Sequence, residues 1–369
     1  MSCDPSALAM AGIRGLSPYQ AGKPIEELQR ELGIAKVIKL ASNENPLGPS
    51  PRVLEACQRA LPELHRYPDS NGFGLKRALA DRLGVEPAML TLGNGSNDVL
   101  DLVARAFLGP GRAAVFSQHG FIVYPIATQA CGARAIVVPA RAWGHDLQAM
   151  AAAVTDDTAV VFVANPNNPT GTWVSDAELR AFLAQVPPRV IVVLDEAYIE
   201  YAAVDGFPDG IELLAEFPNL IVTRTFSKAY GLSGLRVGYG VSSPAIADLL
   251  NRVRAPFNVN SLGLVAAEAA LADADYLARG RAANAAGMLQ LEQGLQALGL
   301  DWIPSAGNFL AVDMGTEAMP LYQALLQQGV IVRPVGVYQM PRHLRITVGL
   351  EHENRLLLDA LAHCLESGA

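Results

Sequence analysis

The sequence predicts an α/β fold in which a large domain, built on a mostly parallel and doubly wound sheet, is followed by a smaller α/β domain. Short apolar runs rich in β-branched residues, such as TAVVFVANP and RVIVVLDEAY, have the length and composition of buried parallel strands. Helical segments lie between several of these runs, which is typical of α/β proteins. The 369 residues, just over half of them apolar, suffice for one large and one smaller domain.

The elements follow in chain order. Residues 1–40 read as an arm that holds one short helix and that we expect to pack on the small domain and on a partner, and an Asn-, Pro- and Gly-rich loop follows at 42–51. The large domain is predicted at 41–257. Its helices include PRVLEACQRAL and GFGLKRALADRLG, and AMLTLGNGSNDVLDLVARAFLG reads as strand, glycine turn and helix. Its further strands are AAVFSQHG, ARAIVVPA, TAVVFVANP, RVIVVLDEAY and NLIVTRTFS.

The remaining residues, 258–369, are predicted to form a linking helix and the small domain. A long Ala- and Leu-rich stretch from 261 to 299 has helical composition, and we expect it to include the helix that joins the two domains. After it, strands such as NFLAVDM and HLRITVG alternate with helices. This alternation predicts the second, smaller α/β unit.

Composition narrows the function classes. A formal net charge of −8 disfavours a nucleic-acid binder, although a few local arginines could still hold a small anion. The four cysteines, Cys3, Cys57, Cys131 and Cys364, have no metal-ligand spacing, so we expect reduced thiols and no metal site. The sequence has neither a signal-peptide pattern nor an apolar run of membrane-spanning length. We therefore expect a cytoplasmic protein.

Polar residues follow three of the predicted strands. Asp195 ends the apolar strand of VVLDEAY, where open α/β sheets place the groups that contact ligands. Asn-Pro turns follow the strand of FVANPNNPTG, and Lys228 follows NLIVTRTF in the segment TFSKAYGLSGLR. Each feature alone has an ordinary explanation as a turn, a cap or a surface lysine. All three features in this order are a much more specific signal of a ligand-binding site than any one of them.

The segment around Lys228 combines a lysine with an arginine in a bed of small residues. A lysine held at a strand-to-loop junction and partly desolvated has a lowered pKa, which makes it a candidate Schiff-base nucleophile. Arg236 lies eight positions later, and its planar fork suits a phosphate that Ser227 would also contact. In GNGS, Gly95 permits a tight turn, and Ser96 and Asn97 open a helix whose free N–H groups favour an anion.

The order NPNNPTG, DEAY, SKAYGLSGLR and LRITVG resembles the fold-type I aminotransferases, which use pyridoxal 5′-phosphate. The arm sequence YQAGKPIEELQRELG, the loop IKLASNENPLGPSP and the tetrapeptide RYPD resemble more particularly the histidinol-phosphate aminotransferase branch of that family. The similarity runs from about residue 14 to the C-terminus. It implies the fold-type I architecture and transamination between L-glutamate and a phosphorylated imidazole alcohol in histidine biosynthesis.

The resemblance also implies roles for the cofactor residues. Lys228 would bond to the cofactor as a Schiff base and shuttle the proton, and Asp195 would pair with the protonated pyridine nitrogen. Asn165 and Tyr198 would hydrogen-bond the phenolic oxygen of the ring. Phe121 would stack on that ring, with an ordinary core aromatic as the alternative. The residues expected to hold the cofactor phosphate are Gly95, Ser96, Asn97, Thr225, Ser227 and Arg236. The chain departs from the family at one point, since the family often has acidic residues after the GNGS turn, as in GSDE, where this chain has Asn97 and Asp98. The expected contact of Asn97 with the phosphate is therefore made by its backbone N–H.

The same resemblance implies an obligate homodimer and a set of substrate residues. Tyr67 of RYPD would reach the cofactor phosphate of the neighbouring subunit. Arg345 matches the arginine that grips the substrate carboxylate, and Asn308 would join it. The other residues expected at the substrate are Tyr19, Asn43 and Arg333, with ordinary packing as the alternative for Tyr19 and Arg333.

Rival functions share much of this pattern. An aromatic amino-acid aminotransferase would need only a different side-chain pocket, and a threonine-phosphate decarboxylase of cobamide synthesis has the same fold and also grips a phosphate. A transcription regulator of this fold would need an appended basic segment, for which the arm is too short. A structural protein would have no reason to keep Asp195, Lys228 and Arg236 together.

Overall fold

A computed structural model describes residues 3–18 and 22–367 of the chain. Its helices are α1 (Pro5–Leu8), α2 (Ala11–Arg14), α3 (Ile25–Leu32), α4 (Pro51–Ala60), α5 (Phe73–Leu83), α6 (Ser96–Phe107), α7 (Val123–Ala130), α8 (Leu147–Ala152), α9 (Asp176–Leu183), α10 (Gly210–Leu213), α11 (Pro244–Val253), α12 (Ser261–Leu271), α13 (Ala274–Ala297), α14 (Ala318–Gln327) and α15 (Glu351–Glu366). Its strands are β1 (Ile38–Lys39), β2 (Leu90–Gly93), β3 (Ala113–Ser117), β4 (Arg134–Val138), β5 (Thr158–Ala164), β6 (Ile191–Asp195), β7 (Leu220–Thr225), β8 (Gly238–Ser242), β9 (Asp301–Ile303), β10 (Phe309–Asp313), β11 (Val330–Ile331), β12 (Arg333–Pro334) and β13 (His343–Thr347). Short 3₁₀ turns link several of them.

The main sheet has the strand order β2-β8-β7-β6-β5-β3-β4 within the described residues. Strands β4, β3, β5, β6 and β7 are parallel to one another, whereas β8 is antiparallel to both β7 and β2. Helices separate the parallel strands along the chain, because parallel strands need a crossover connection. The predicted α/β fold with a mostly parallel sheet is confirmed.

Burial on both faces explains the apolar runs. Along β6, Val192 and Leu194 belong to one core cluster, whereas Val193 between them belongs to another. Successive side chains of a strand point to opposite faces, so the two clusters lie on the two sides of the sheet. The polar residue Asp195 stands only where the strand ends. A strand buried on both faces cannot alternate apolar with polar residues, which is why these strands read as continuous apolar runs.

The C-terminal part holds an antiparallel sheet of order β12-β13-β10-β9 and its own core cluster, which includes Leu310, Leu344 and Leu361. The arm joins this part of the chain, because β1 pairs in parallel with β11. The backbone N–H of Thr347 donates to the carbonyl of Leu40 at 2.9 Å and extends that connection. The boundaries 1–40, 41–257 and 258–369 stay a prediction.

The long helical stretch predicted near 261–299 is divided into α12 and α13. Asp273 separates them, and its side chain accepts a hydrogen bond from the backbone N–H of Tyr276 at 3.2 Å. Asp is a strong N-cap residue, so it starts a new helix where composition alone suggested continuity. The four cysteines form no disulfide in the structure. None of the helices that the structure describes combines the length and apolar character that a membrane crossing needs.

Candidate active site

The candidate active site is a cavity of about 190 Å³ where the carboxyl ends of β5, β6 and β7 meet the amino end of α6. The strand register places Ala164, Asp195 and Thr223 side by side, so polar groups that are far apart in sequence meet at one sheet edge. The predicted residues that line the cavity are Asn43, Ser96, Asn97, Phe121, Asp195, Tyr198, Thr225, Ser227, Lys228, Arg236, Arg333 and Arg345.

Lys228 lies in this cavity three residues after β7 ends. Its Nζ donates a hydrogen bond to the carbonyl oxygen of Ser42 at 2.9 Å and lies 5.6 Å from the centre of the Tyr198 ring. Burial lowers the pKa of this amine to about 7, and the positive charges of Arg345 and Arg236 add to the effect. A neutral amine is therefore available near pH 7 as a nucleophile or a base.

Asp195 provides a buried acceptor at the end of β6. The hydroxyl of Tyr124 donates to its Oδ2 at 2.9 Å, and the hydroxyl of Thr223 donates to its Oδ1 at 3.1 Å. Burial raises the pKa of this carboxyl, while the two hydrogen bonds work in the opposite direction. The two donors orient the carboxylate, which can accept a further hydrogen bond from a cationic N–H in the cavity.

Tyr198 and Asn43 form a second polar pair in the cavity wall. The side-chain amide of Asn43 donates to the Tyr198 hydroxyl at 2.9 Å, and its backbone N–H donates to the hydroxyl of Thr347 at 2.9 Å. Burial raises the pKa of Tyr198 to about 12. The phenol therefore stays protonated near neutral pH, and its hydroxyl can donate to an oxygen in the cavity.

The amino end of α6 and Arg236 form an anion-binding end. Ser96 and Asn97 are the first two residues of α6, where backbone N–H groups have no acceptor within the helix. The guanidinium of Arg236 donates from Nη1 to the hydroxyl of Ser227 at 3.1 Å. The backbone N–H of Ser227 in turn donates to the hydroxyl of Thr225 at 3.1 Å. These donors converge where a phosphate would be held.

Close packing at this end depends on two glycines. Gly95 has a φ of +84°, and a Cβ added there would lie 2.5 Å from Nη2 of Arg236. A Cβ added at Gly238 would lie 2.2 Å from the backbone nitrogen of Ser96. The glycines therefore let Arg236 and the start of α6 approach each other. Gly95 belongs to the anion-binding end, although its atoms lie behind the cavity wall.

The structure describes the contacts of Asn165, whose expected role at the cofactor ring stays a prediction. Its side-chain amide donates to the carbonyl of Val174 at 3.2 Å and accepts from the backbone N–H of Val174 at 3.0 Å, so it ties the two ends of a turn together. Asn165 does not line the cavity, whereas Asn168 three residues later does. The Oδ1 of Asn168 accepts a hydrogen bond from Arg345 at 2.5 Å.

The two predicted substrate arginines come from adjacent strands. Arg333 on β12 and Arg345 on β13 are direct partners across the antiparallel pair, so their side chains leave the sheet on the same face. Arg345 also donates from Nη2 to the carbonyl of Ala41 at 2.6 Å. Asn308 was expected beside Arg345, but it lies outside the cavity wall, and its amide donates to the carbonyl of Glu44 at 3.4 Å. Asn168 is a hydrogen-bond partner of Arg345, and the expected contact of Asn308 with Arg345 stays a prediction.

The predicted aromatic residues have different positions. Phe121 lines the cavity, and its ring meets Tyr124 edge to face at 5.9 Å. Tyr67 is 82% exposed and stacks on Phe257 at 4.7 Å. Its reach into a neighbouring subunit stays a prediction. Tyr19 lies outside the described residues.

Sequence reasoning missed four residues that the cavity requires. Ser42 holds Lys228, Tyr124 and Thr223 hold Asp195, and Asn168 holds Arg345. A signal existed for Asn168, because it stands directly before Pro-Thr-Gly in a motif with three asparagines. The pairs that involve Ser42 and Tyr124 join residues 186 and 71 positions apart, and no sequence pattern predicts them.

The donor set fits a flat ring with a basic nitrogen at one end and a phosphate at the other. Asp195 stands at the first end, the Arg236 cluster at the second, and Lys228 lies in the same cavity. The close approach of Gly95 and Gly238 shapes the phosphate end. These are the groups that pyridoxal 5′-phosphate requires of a protein.

Many known proteins are similar to this chain in sequence or in fold. The family profile described as aminotransferase class I and II matches residues 35–361. The chain is 64% identical over 367 residues to histidinol-phosphate aminotransferase 2 of Pseudomonas fluorescens, and the match covers 99% of both chains. It is 65% identical over 361 residues to histidinol-phosphate aminotransferase 2 of Pseudomonas aeruginosa, and that match covers 97% of this chain and 98% of the other. The solved histidinol-phosphate aminotransferase of Sinorhizobium meliloti in complex with pyridoxal 5′-phosphate has a TM-score of 0.91 and 35% identity, over 97% of this chain and 98% of the other. Aspartate aminotransferase of Thermus thermophilus, at 23% identity and a TM-score of 0.82 over 95% of this chain and 100% of the other, shares the fold.

Proposed function

The chain belongs to the aminotransferase class I and II family, and from that premise we propose that it transfers an amino group between L-glutamate and imidazole acetol phosphate. The products are 2-oxoglutarate and histidinol phosphate, and the reaction belongs to histidine biosynthesis. The chain is a pyridoxal 5′-phosphate-dependent transaminase. One observation carries the substrate assignment: relatives about 64% identical over nearly the whole chain are histidinol-phosphate aminotransferases.

The cofactor supplies a carbonyl carbon that carries the amino group and a ring that withdraws electrons from the substrate α-carbon. We assign Asp195 to the ring nitrogen, because this buried carboxylate faces the cavity and is oriented by Tyr124 and Thr223. The phosphate is assigned to Ser227, Arg236 and the start of α6, where hydroxyl, guanidinium and backbone donors converge. Phe121 is assigned to the face of the ring.

Lys228 is assigned the proton transfers of both half-reactions. With its pKa near 7, the amine can take the proton from the substrate α-carbon and later return it to the carbon that carries the amino group. Its hydrogen bond to the carbonyl of Ser42 holds the Nζ in the cavity between transfers. Tyr198 stays protonated and donates to the ring oxygen, with Asn43 fixing the direction of its hydroxyl.

The substrate groups are assigned to the arginines of β12 and β13. Arg345 is buried and held by Asn168 and by the carbonyl of Ala41, so its position is suited to the carboxylate of glutamate. Histidinol phosphate has no carboxylate, so Arg345 must serve a different group in the second half-reaction. Arg333 lines the same cavity from the neighbouring strand and is assigned to the substrate phosphate. Tyr19 and Asn308 are further candidates for this part of the site.

We further propose that the chain acts in the cytoplasm as a homodimer whose active sites are shared between subunits. The support for sharing is Tyr67, a large aromatic residue that is 82% exposed in the isolated chain although it stacks on Phe257. An exposed aromatic pair of this kind is typical of an interface. Sedimentation of the holoenzyme, and loss of cofactor affinity in Tyr67→Ala without loss of the dimer, would test the two parts separately.

A panel of amino acceptors tests the proposed substrate. L-Glutamate is supplied at saturation, and 2-oxoglutarate formation is measured with imidazole acetol phosphate, phenylpyruvate or 4-hydroxyphenylpyruvate. We expect the highest kcat/KM with imidazole acetol phosphate. A preference for either aromatic keto acid would defeat the substrate assignment and leave transamination intact, and carbon dioxide release from threonine phosphate would indicate the decarboxylase.

A further inference from the structure

We propose that a second cavity binds a small organic cation that carries a flat ring with an N–H donor. This cavity, the tryptophan groove, has a volume of about 610 Å³ and is lined by Trp143, Trp173, Trp302, His145 and His343. It shares no lining residue with the candidate active site. The proposal goes beyond transamination, and neither its success nor its failure bears on the amino-transfer reaction.

The groove contains all three tryptophans of the chain. Trp143 and Trp173 are 39% and 37% exposed, so part of each indole is open to a ligand. The His343 ring packs edge to face against Trp143 at 4.8 Å, and the His119 ring lies 5.3 Å from it. Tryptophan has the most favourable ring face for a cation, and it stacks well with a planar group.

A strained turn presents Trp143 to the groove. Arg141 and Gly144 form an isolated antiparallel bridge, and the two residues between them, Ala142 and Trp143, have φ values of +47° and +67°. Such turns normally use Asn-Gly, because residues with a Cβ adopt positive φ at a cost. Here the costly conformation is retained and the indole is held at the groove. Backbone strain of this kind is concentrated at functional sites.

A buried imidazole in the groove has an unused acceptor. The Nε2 of His145 lies 2.8 Å from the carbonyl oxygen of Ala164 and must donate to it, which leaves Nδ1 as an acceptor in the neutral ring. His145 is 92% buried, its residue exposure being 8%, and its Nδ1 has no partner among the described residues. His343 is 4% exposed, and its Nδ1 also has no partner among the described residues. Both Nδ1 atoms are covered by protein, so a ligand N–H reaches His145 only if the ring turns or shifts, and it would then satisfy an acceptor that is otherwise costly to bury.

The charge of the groove selects the sign of the ligand. Three carboxylates line it, those of Glu178, Asp301 and Asp313, against the single guanidinium of Arg141. Just outside the lining, Arg342 pairs with Asp313 at 2.9 Å and Asp146 lies 3.9 Å from Arg141, so these two further charges cancel and the excess of negative charge remains. Burial lowers the pKa of His145 and of His343, so neither ring offsets the negative charge near neutral pH. The active site has the opposite character, with three arginines in its wall. The groove therefore favours a cation and rejects a phosphate.

Tryptophan fluorescence reports on this groove directly, because no tryptophan lies elsewhere in the chain. The holoenzyme is titrated with N,N-dimethylhistamine, which offers a flat ring with an N–H and a tertiary ammonium that cannot condense with the cofactor. Imidazole-4-acetate is the matched control, since it has the same ring with a carboxylate. We expect saturable binding of the amine with a Kd of about 1 mM or tighter, and binding of the acid at least tenfold weaker.

Variants locate the site. Calorimetry is expected to show at least a threefold weaker Kd in Asp301→Asn and at least a fivefold weaker Kd in Trp173→Ala, with normal transaminase activity as proof of folding. Phe73→Ala, a change at another exposed aromatic residue, is expected to leave the Kd unchanged. The proposal is overturned by equal binding of the amine and the acid, by unchanged affinity in both groove variants, by the absence of saturation, or by loss of binding when 2-oxoglutarate saturates the active site.

Discussion

Replacing Gly95 with alanine is expected to damage the phosphate end of the active site selectively. The added Cβ would lie 2.5 Å from Nη2 and 3.2 Å from Cζ of Arg236. Real Cβ atoms essentially never approach to 2.5 Å, so the guanidinium must move away from Ser227. The φ of +84° at Gly95 adds strain of about 1–3 kcal/mol for any residue with a Cβ.

The expected loss of cofactor affinity follows from the hydrogen bonds of Arg236. A hydrogen bond to a charged group contributes about 1.5–3 kcal/mol. If the displaced guanidinium loses one such bond to the phosphate, the Kd for pyridoxal 5′-phosphate should rise by about tenfold to about 150-fold. The measurement is a titration of the cofactor-free protein with pyridoxal 5′-phosphate, followed by visible absorbance.

Gly111→Ala is the matched control for backbone strain. Gly111 has a φ of +80°, and an added Cβ there meets nothing within 4 Å. Both variants should lose stability in urea unfolding, whereas only Gly95→Ala should lose cofactor affinity. An unchanged Kd in Gly95→Ala, or an equal change in both variants, would refute the assignment of Arg236 to the phosphate.

Three further predictions follow from other contacts of the site. Lys228→Met should abolish turnover and the visible absorbance of the holoenzyme. In the cofactor-free protein, urea unfolding should show that the wild type gains stability relative to this variant as pH rises from about 7 toward the ordinary lysine pKa. The reason is that between these two pH values the lysine holds its proton only in the unfolded chain. Asn168→Ala should raise the KM for glutamate at least several-fold with little change in stability. Asn165→Ala should instead lower the free energy of unfolding by about 1–3 kcal/mol and leave that KM unchanged. The reverse pattern would favour Asn165 over Asn168 as the residue that acts at the cofactor and substrate. Tyr124→Phe removes a donor that lowers the pKa of Asp195, so the pH profile of kcat should shift its acidic limb upward; an unaltered profile would show that the hydroxyl is not needed to position the carboxylate.

Local pattern was sufficient for the strands and for the cofactor residues at their ends. The runs that became β5, β6 and β7 are apolar at nearly every position because both faces of the sheet are covered, and a polar residue can appear only where the strand ends. That rule singled out Asp195 and Lys228 as candidates, and the succession of motifs and the family resemblance gave them their predicted roles. The helix boundary at Asp273 was missed because a single capping residue is a weak signal within a helix-rich composition.

The roles within the turn after β5 required the tertiary structure. Asn165, Asn167 and Asn168 are chemically identical, and the backbone path of the turn decides which amide ties the turn together and which faces the cavity. Sequence spacing carries no information about that path. For the same reason, sequence spacing does not indicate that Asn168 contacts Arg345.

The sequence by itself determined the α/β fold, the family and the residues that stand at strand ends, because these depend on local hydrophobic pattern and on short motifs. Only the tertiary structure decided how those residues behave. The pKa of Lys228 falls to about 7 because folding buries its amine and, as a smaller effect, brings it near the positive charge of Arg345, 117 positions later. Asp195 is oriented by a tyrosine from α7. The tryptophan groove has the same origin, since Trp143, Trp173 and Trp302 meet only when the chain is folded. Electrostatic coupling and cavities depend on distances in space, which a linear sequence does not contain.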